Sequence, residues 1–313
     1  MPETKIGFYT DVGGSFILSR LDENLGTYLA LTGARVKGID AFYAGFATHY
    51  VPSERLPILE QRLQELPNDN MDVVNSAIEE FVEESSFGKS EYQHRYSLAP
   101  VLNSIKECFK FKTMEEIIEA LNNEKDNAEW AKETLALLAK MSPTSLKVNL
   151  ELLHLAKNLS MKDCMNMESQ LTNKMLHNHD FVEGVFELLV RKSNAPKWSP
   201  ATLPEVSLDQ IRTQYFLNPV KEVALEFYND IDFMVHPYSK YTLPSEQKIR
   251  AVVTGEDPDA GDNAFSKEEL INYFAKLYSD KVGVREKVSD VINRNTIKNP
   301  HDDVGISTLS WNY

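Results

Sequence analysis

Cysteine is nearly absent from this chain: Cys108 and Cys164 are the only two in 313 residues. Two thiols so far apart make neither a disulfide framework nor a zinc-binding pattern. They fit a reducing compartment, and both read as small buried hydrophobes. No apolar run approaches the length needed to cross a bilayer, so no transmembrane helix is expected. Positive charge is also scarce, with 33 Lys and Arg against 47 Asp and Glu and a net charge of −14. Binding nucleic acid through its phosphates needs a basic face. The nearest approach to one, Lys106, Lys110 and Lys112 interleaved with Phe109 and Phe111, reads as a solvated edge. Direct nucleic-acid binding is therefore not expected, although an acidic protein can still dock on the protein components of a ribonucleoprotein. Met1 leads straight into Pro2, Glu3 and Thr4, without a basic segment and apolar core or an acid-poor leader. There are no internal repeats and no low-complexity tract.

What is present has the composition of a soluble globular protein, 42% hydrophobic and 26% charged. The length allows one large domain or two ordinary ones. Residues 1–20 read as a loop, a glycine turn and a helix. Asn24–Leu31 continues as a short helix closed by Gly33, and Ile39–Ala44 as another closed by Gly45. Thr48–Val51 reads as a brief strand stopped by Pro52. From there to about residue 190 the pattern is helical, with Leu56, Leu59, Leu63 and Leu66 on one face and Val73, Ala77, Ile78 and Phe81 on the next. Thr113 and Glu116 form a capping box, and Ser142-Pro143 is a second start signal. Met161–Asn178 and Phe181–Arg191 complete the array. Pro196, Trp198, Pro200 and Pro204 then mark an extended connection, with Trp198 as a buried anchor. Beyond it, helices are predicted at Pro219–Tyr228 and Ser266–Ser279 around an acidic turn at 254–263. The last twenty residues are polar, as in a disordered end.

Glu3 and Asp11 stand out because Gly7, Gly13 and Gly14 accompany them. Either acid alone reads as a surface carboxylate, and Asp11 as a helix cap. Glycines beside acids permit close backbone approach and leave helix N–H groups open to a bound ligand. Hydrolysis of an ester or thioester needs a base or nucleophile beside a site that stabilises charge.

The run Pro2-Glu3-Thr4-x-Ile6-Gly7-x-x-x-Asp11-Val12-Gly13-Gly14 resembles the 3-hydroxyisobutyryl-CoA hydrolase family, a branch of the crotonase (enoyl-CoA hydratase/isomerase) superfamily. The match continues in order through Leu29-Ala30-Leu31-Thr32-Gly33, Ala44-Gly45-Phe46-Ala47-Thr48-His49-Tyr50-Val51 and Met141-Ser142-Pro143-Thr144-Ser145-Leu146-Lys147. It ends with His179-Asp180-Phe181-x-Glu183-Gly184-Val185 and Pro196-Lys197-Trp198-x-Pro200. The resemblance implies an α/β fold class: the C-terminal part of a crotonase-like (ClpP/crotonase) fold, mainly helical here, over residues 1–216, with a helical C-terminal extension at 217–313. It implies Glu3 as the catalytic carboxylate, activating water on the acyl-CoA thioester carbonyl or attacking it. Asp11 would bind the substrate's hydroxyl end or align the attack, and Gly7 would join them in holding substrate. The products would be 3-hydroxyisobutyrate and free coenzyme A, a step of valine breakdown. No metal and no cofactor are implied, since CoA is part of the substrate. The expected location is mitochondrial, with no membrane partner.

In the superfamily most of the spiral core, and both oxyanion-hole N–H groups, precede this motif. The chain is therefore expected to be the C-terminal part of a longer protein and inactive alone, since losing one such donor costs about 10²–10³ in rate. An alternative role, implied by the tail, is structural. Fungal relatives carry such tails, and one resembling this chain is a component of the mitochondrial small ribosomal subunit, whose proteins are then the expected partners. A third reading is a non-catalytic fragment with poorly cooperative unfolding.

The remaining signals have plainer readings. His177 and His179 lie on different helix faces and are not expected to hold metal; His49 reads as a packing or hydrogen-bonding residue. Asp257, Asp259, Asp262 and Glu268 resemble a calcium loop in outline, but its glycine position is Asp262, so an acidic turn is preferred. Phe227, Tyr228, Phe233 and Met234 read as an apolar surface docked on the main body, and Trp311 and Tyr313 as a small partner-binding hook.

Overall fold

The structure, a computed structural model, describes residues 1–82, 96–261, 264–299 and 308–312. Among these the helices are α1 (Gly14–Leu18), α2 (Leu25–Thr32), α3 (Ile39–Tyr43), α4 (Leu56–Gln64), α5 (Met71–Glu79), α6 (Leu102–Cys108), α7 (Met114–Asn123) and α8 (Ala128–Leu138). They continue with α9 (Pro143–Ala156), α10 (Met161–Met175), α11 (His179–Val185), α12 (Leu208–Ile211), α13 (Glu246–Thr254), α14 (Lys267–Leu277) and α15 (Val284–Asn295). Short π turns extend α11 over Phe186–Val190 and α12 over Arg212–Phe216. The two described strands, β1 (Thr296–Lys298) and β2 (Leu309–Trp311), pair antiparallel with Thr296 opposite Trp311. The chain divides into two compact units, each built from two stretches: Met1–Arg35 with Val101–Pro237, and Val36–Pro100 with Tyr238–Tyr313.

The first unit is organised around α9, which is buried at every position from Pro143 to Leu153. A helix buried on all sides must find partners within the protein for most of its polar side chains, and on α9 the Ser145 hydroxyl is an exception. Ser142 caps α9 by accepting from the Ser145 N–H at 3.1 Å and donates to Asp180 Oδ2 at 2.6 Å. Lys147 donates to the Val206 carbonyl and to Glu115, and Glu151 accepts both arms of the Arg212 guanidinium at 2.7 and 3.2 Å. The apolar positions of α9 join Phe8, Tyr9, Leu171, Met175, Val206 and Ile211 in one core cluster. At the far end Arg20 caps the carbonyls of Ala156 and Leu159 while lying 3.8 Å over the Phe16 ring.

Residues 217–233 pack in this same unit, beyond the point where the family resemblance stops. Here a helix at Pro219–Tyr228 was expected, and the chain is instead extended, with one 3-10 turn at Lys221–Val223. The reason lies on α10, whose residues 162, 166, 169, 170 and 174 fall on one helical face. Lys174 donates to the Leu217 carbonyl at 2.7 Å, and Gln170 exchanges two hydrogen bonds with Val220 at 2.8 and 2.9 Å. Ser169 donates to Val223, Asn166 accepts from Leu225, and Lys162 donates to Asn229. Backbone groups must pair with something, and partners on α10 replace those within a helix. At the end of this strap Phe233 packs with Phe16 and Cys164, edge-on to Phe16 at 5.5 Å. Phe227 and Met234 stay partly exposed and Tyr228 is fully exposed, so only part of the expected docked surface is docked.

In the second unit the buried apolar residues include Phe42, Tyr43, Ile249, Phe274, Val288 and Leu309. Gly283 has φ +91°, and a Cβ there would sit 2.7 Å from the Phe42 ring. His49 is held by Thr48 Oγ1 at 2.9 Å and lies 3.0 Å from Glu79, which also pairs with the buried Lys281. Burial works to raise the Glu79 carboxyl, but these partners together hold it below the usual range, while burial pushes the Lys281 ammonium down. Thr48–Val51 is irregular rather than a strand, because a strand requires a ladder partner and none pairs with it among the described residues. Helices α13 and α15 were not anticipated. Within the polar last twenty residues, the described part holds the β1–β2 pair, with Asn299 N–H bonded to the Thr308 carbonyl at 2.9 Å. Tyr313 and Asp262 lie outside the described residues. Asp257 is buried against Lys248, whose ammonium already occupies the place a cation would take in the acidic turn.

Several glycines are required by close approach rather than by turn shape. A Cβ on Gly26 would lie 1.8 Å from the Leu18 carbonyl oxygen, where α1 meets α2. Gly26→Ala is therefore expected to cost at least about 1–3 kcal/mol through overpacking. Gly255→Ala meets no atom within 4 Å and has only its positive φ to oppose it, a cost of about 1 kcal/mol. Urea unfolding of the two variants should show that order.

Candidate active site

Glu3 opens a 3-10 turn, Glu3–Ile6, that ends at Gly7 in the left-handed conformation. Thr4 fastens the turn: its hydroxyl is buried against the Ala30 and Leu31 carbonyls, and its own carbonyl accepts from Ser142 N–H at 3.2 Å. The Glu3 carboxylate has one oxygen, Oε2, buried without a hydrogen-bond partner. Burial raises its pKa, and the nearby negative charge of Asp11 adds to the rise. Glu3 and Asp11 thus share one electrostatic neighbourhood.

Phe8, Tyr9 and Thr10 link the two acids as a buried segment without regular secondary structure. The Asn149 side-chain amide binds it as a neighbouring strand would. Its Oδ1 accepts from the Thr10 N–H at 2.8 Å and hydroxyl at 2.9 Å, and its Nδ2 donates to the Phe8 carbonyl at 3.2 Å. The Tyr9 hydroxyl donates to the Glu168 carbonyl at 2.6 Å, and burial raises its pKa. Asp11, half-buried, follows on the turn into α1.

That turn is held by Glu168. Its Oε2 accepts from Gly13 N–H at 2.8 Å, and its Oε1 from Ser15 N–H at 3.0 Å and from the Ser15 hydroxyl. The expectation that the glycine turn leaves these N–H groups open to a ligand is therefore corrected: a carboxylate of the protein itself fills the place of an anion. Val12, between Asp11 and Gly13, has φ +53° and is 84% exposed. A β-branched residue there is strained, and the strain sits next to the candidate acid.

Gly7 has an explanation in packing. A Cβ on it would lie 2.2 Å from the Asp180 carbonyl oxygen, and one on Gly184 would lie 2.4 Å from the Ile6 carbonyl oxygen. The motif around Glu3 and the motif around Asp180 therefore meet backbone to backbone. Asp180 locks this junction by accepting from Ser142 and from Ser199 N–H at 2.7 Å. Trp198 is half-buried rather than fully buried, and its indole donates to the Lys140 carbonyl at 3.1 Å.

Other sequence signals resolve as structural. Cys108 and Cys164 are both buried and free, and burial beside Glu124 pushes the Cys108 thiol up to about 12. Of the three clustered lysines, Lys106 pairs with Glu23 and Lys110 with Glu107, while Phe109 is buried against Tyr28 and Trp130. No cluster of three His, Cys, Asp or Glu side chains able to hold a metal occurs among the described residues. A shallow groove lined by Lys112, Glu115, Lys147 and Leu208 includes neither Glu3 nor Asp11. Asn149 and Glu168 escaped sequence reasoning. Their only signal is a polar residue inside an otherwise apolar helical face, which is also what a surface position looks like.

Residues 1–216 match the family described as enoyl-CoA hydratase/isomerase, and the chain belongs to that family. It is 40% identical to small ribosomal subunit protein mS47 of Neurospora crassa over 99% of this chain and 61% of that protein. It is also 40% identical to the mitochondrial 3-hydroxyisobutyryl-CoA hydrolase of Homo sapiens, over 69% of this chain and 54% of that one. The crystal structure of a carnitinyl-CoA dehydratase from Mycobacterium thermoresistibile superposes with a TM-score of 0.59 at 35% identity, covering 74% of this chain and 61% of that one. The fold is thus the expected one, part of a crotonase-like architecture and mainly helical in this chain. The chain spans between 54% and 61% of the length of these relatives.

Glu168→Gln places an amide NH₂ against N–H donors and is expected to cost about 1–3 kcal/mol. Burial holds the Glu168 carboxyl above its ordinary 4.5. The folded chain then binds that proton more tightly than the unfolded chain, so this group's contribution falls as pH rises from the ordinary value through the folded one. The deficit of Glu168→Gln, measured by urea unfolding, should therefore be largest in acid and shrink as pH rises through that window.

Proposed function

We propose that this chain carries the acidic part of a CoA-thioester hydrolase site acting on a short 3-hydroxyacyl thioester, 3-hydroxyisobutyryl-CoA first among them. The observation that carries the reading is the Glu3 carboxylate, with one buried, unpartnered oxygen and a pKa raised by burial and, to a smaller extent, by the charge of Asp11. A carboxylate whose affinity for a proton is raised by burial is the better suited to act as a general base. In the reaction, Glu3 takes a proton from water as the water oxygen adds to the thioester carbonyl, or attacks that carbonyl itself. The C–S bond then breaks and the CoA thiolate leaves to take up a proton; on the second route water then hydrolyses the resulting acyl–Glu3 anhydride, which releases the acid and restores the carboxylate. Asp11 meets the hydroxyl end of the acyl group or aligns the attack, and Gly7 lines the same wall. No metal and no separate cofactor enter this scheme. The named function of the Homo sapiens relative supports the substrate, and the mitochondrial relatives support a mitochondrial location.

Because the chain spans only part of its relatives' length, the test uses the intact natural protein in which these residues occur. Glu3→Gln is expected to lower thiol release from 3-hydroxyisobutyryl-CoA by about 10²-fold or more with an unchanged unfolding midpoint. Undiminished release would remove Glu3 from the chemistry.

A second reading is favoured by one observation: the similarity to a small ribosomal subunit protein runs over 99% of this chain, whereas that to the hydrolase covers 69%. On this reading the protein is a component of the mitochondrial small ribosomal subunit, with or without hydrolase activity, and its partners are ribosomal proteins. It predicts that the full-length protein travels with the small subunit in a sucrose gradient. A protein found only in the soluble fractions would end this reading and leave the hydrolase reading intact.

A further inference from the structure

The strap along α10 turns its backbone inward and its side chains outward. Its N–H and carbonyl groups are engaged by Lys174, Gln170, Ser169, Asn166 and Lys162, so Phe233 is the aromatic side chain that packs against the core. Tyr228 is fully exposed, and Ile231, Met234 and Val235 are 72%, 51% and 67% exposed. A run of exposed apolar and aromatic side chains on a segment fixed by its main chain is the composition of an interface core. The exposed charges on the strap are mainly negative: Glu222, Glu226, Asp230 and Asp232 against Lys221, with Lys162 of α10 lying over the Phe227 ring. Such a surface repels the phosphates of RNA and attracts a basic polypeptide. The strap begins immediately after residue 216, where the family match ends, and lies within the span matched by the ribosomal relative.

We propose that residues 222–235 form a docking surface for a basic protein component of the small ribosomal subunit. A Lys- and Arg-rich segment of that partner lays apolar side chains across Tyr228, Ile231 and Val235 and its charges against Glu222, Glu226 and Asp230. This rests on the assembly reading above, and it adds where contact is made and with what class of molecule.

The test compares the tagged full-length natural protein with two variants in sucrose gradients of mitochondrial extract. One variant combines Tyr228→Ser, Ile231→Ser and Val235→Ser; the other combines Glu222→Lys, Glu226→Lys and Asp230→Lys. All six positions are exposed, and thermal unfolding of the purified variants checks that their midpoints match the parent. Both variants should lose at least about tenfold of the small-subunit-bound fraction, as expected on removing interface anchors. If the parent co-sediments and the folded apolar variant does so equally, the docking surface is overturned while the assembly reading stands. Tighter association of the Lys-bearing variant would overturn it in favour of RNA. A parent that dimerises through these residues, with sedimentation unaffected by either variant, would overturn it in favour of a second copy. A parent absent from the small subunit overturns both readings.

Discussion

The Glu168 carboxylate is the constraint on which the candidate site depends. A tight turn carrying a strained valine and a positive-φ glycine has no reason of its own to persist between Asp11 and α1. It persists because three donors of that turn converge on one buried carboxylate. Desolvation alone makes such a group costly, and hydrogen bonds to charged acceptors are the stronger kind. Through Tyr9, which donates to the Glu168 carbonyl, the same residue also anchors the segment joining Glu3 to Asp11. Two acids eight positions apart are thus fixed to one another through a helix more than 150 residues further along.

The junction between the Glu3 turn and α11 is built on a different principle. Gly7 and Gly184 remove side chains from both partners so that backbones touch. Asp180 then supplies the polar closure, taking hydrogen bonds from Ser142 at the start of α9 and from Ser199. Glycines that read as ligand-binding in the sequence are here explained by contact between protein segments, and the role of Gly7 toward substrate rests on the proposed chemistry alone.

Helix starts were the most legible feature. Thr113, Ser142 and Ser266 cap where their sequences say, because a cap uses atoms within three residues. The Gly33 terminus is local in the same way. The unanticipated α15 has Val284, Val288, Val291 and Ile292 at helical spacing and was readable in principle. The strap was not. Pro219–Tyr228 has the composition of a short helix, and what overrides it is a row of polar side chains on α10 whose spacing is unremarkable until the two segments meet. The supposed strand at Thr48–Val51 failed for the complementary reason: pattern alone supplies no partner.

The sequence by itself determined the family, the order of its motifs, the acidic pair Glu3 and Asp11, and most helix boundaries, since each of these is encoded in residue identity and short spacing. Only the tertiary structure decided what satisfies the α1 N–H groups, why Gly7 and Gly184 lack side chains, and how residues 217–233 run. Those outcomes depend on desolvation and on which buried donor meets which acceptor. That pairing links residues far apart in the chain, and neither partner carries a local mark of the other.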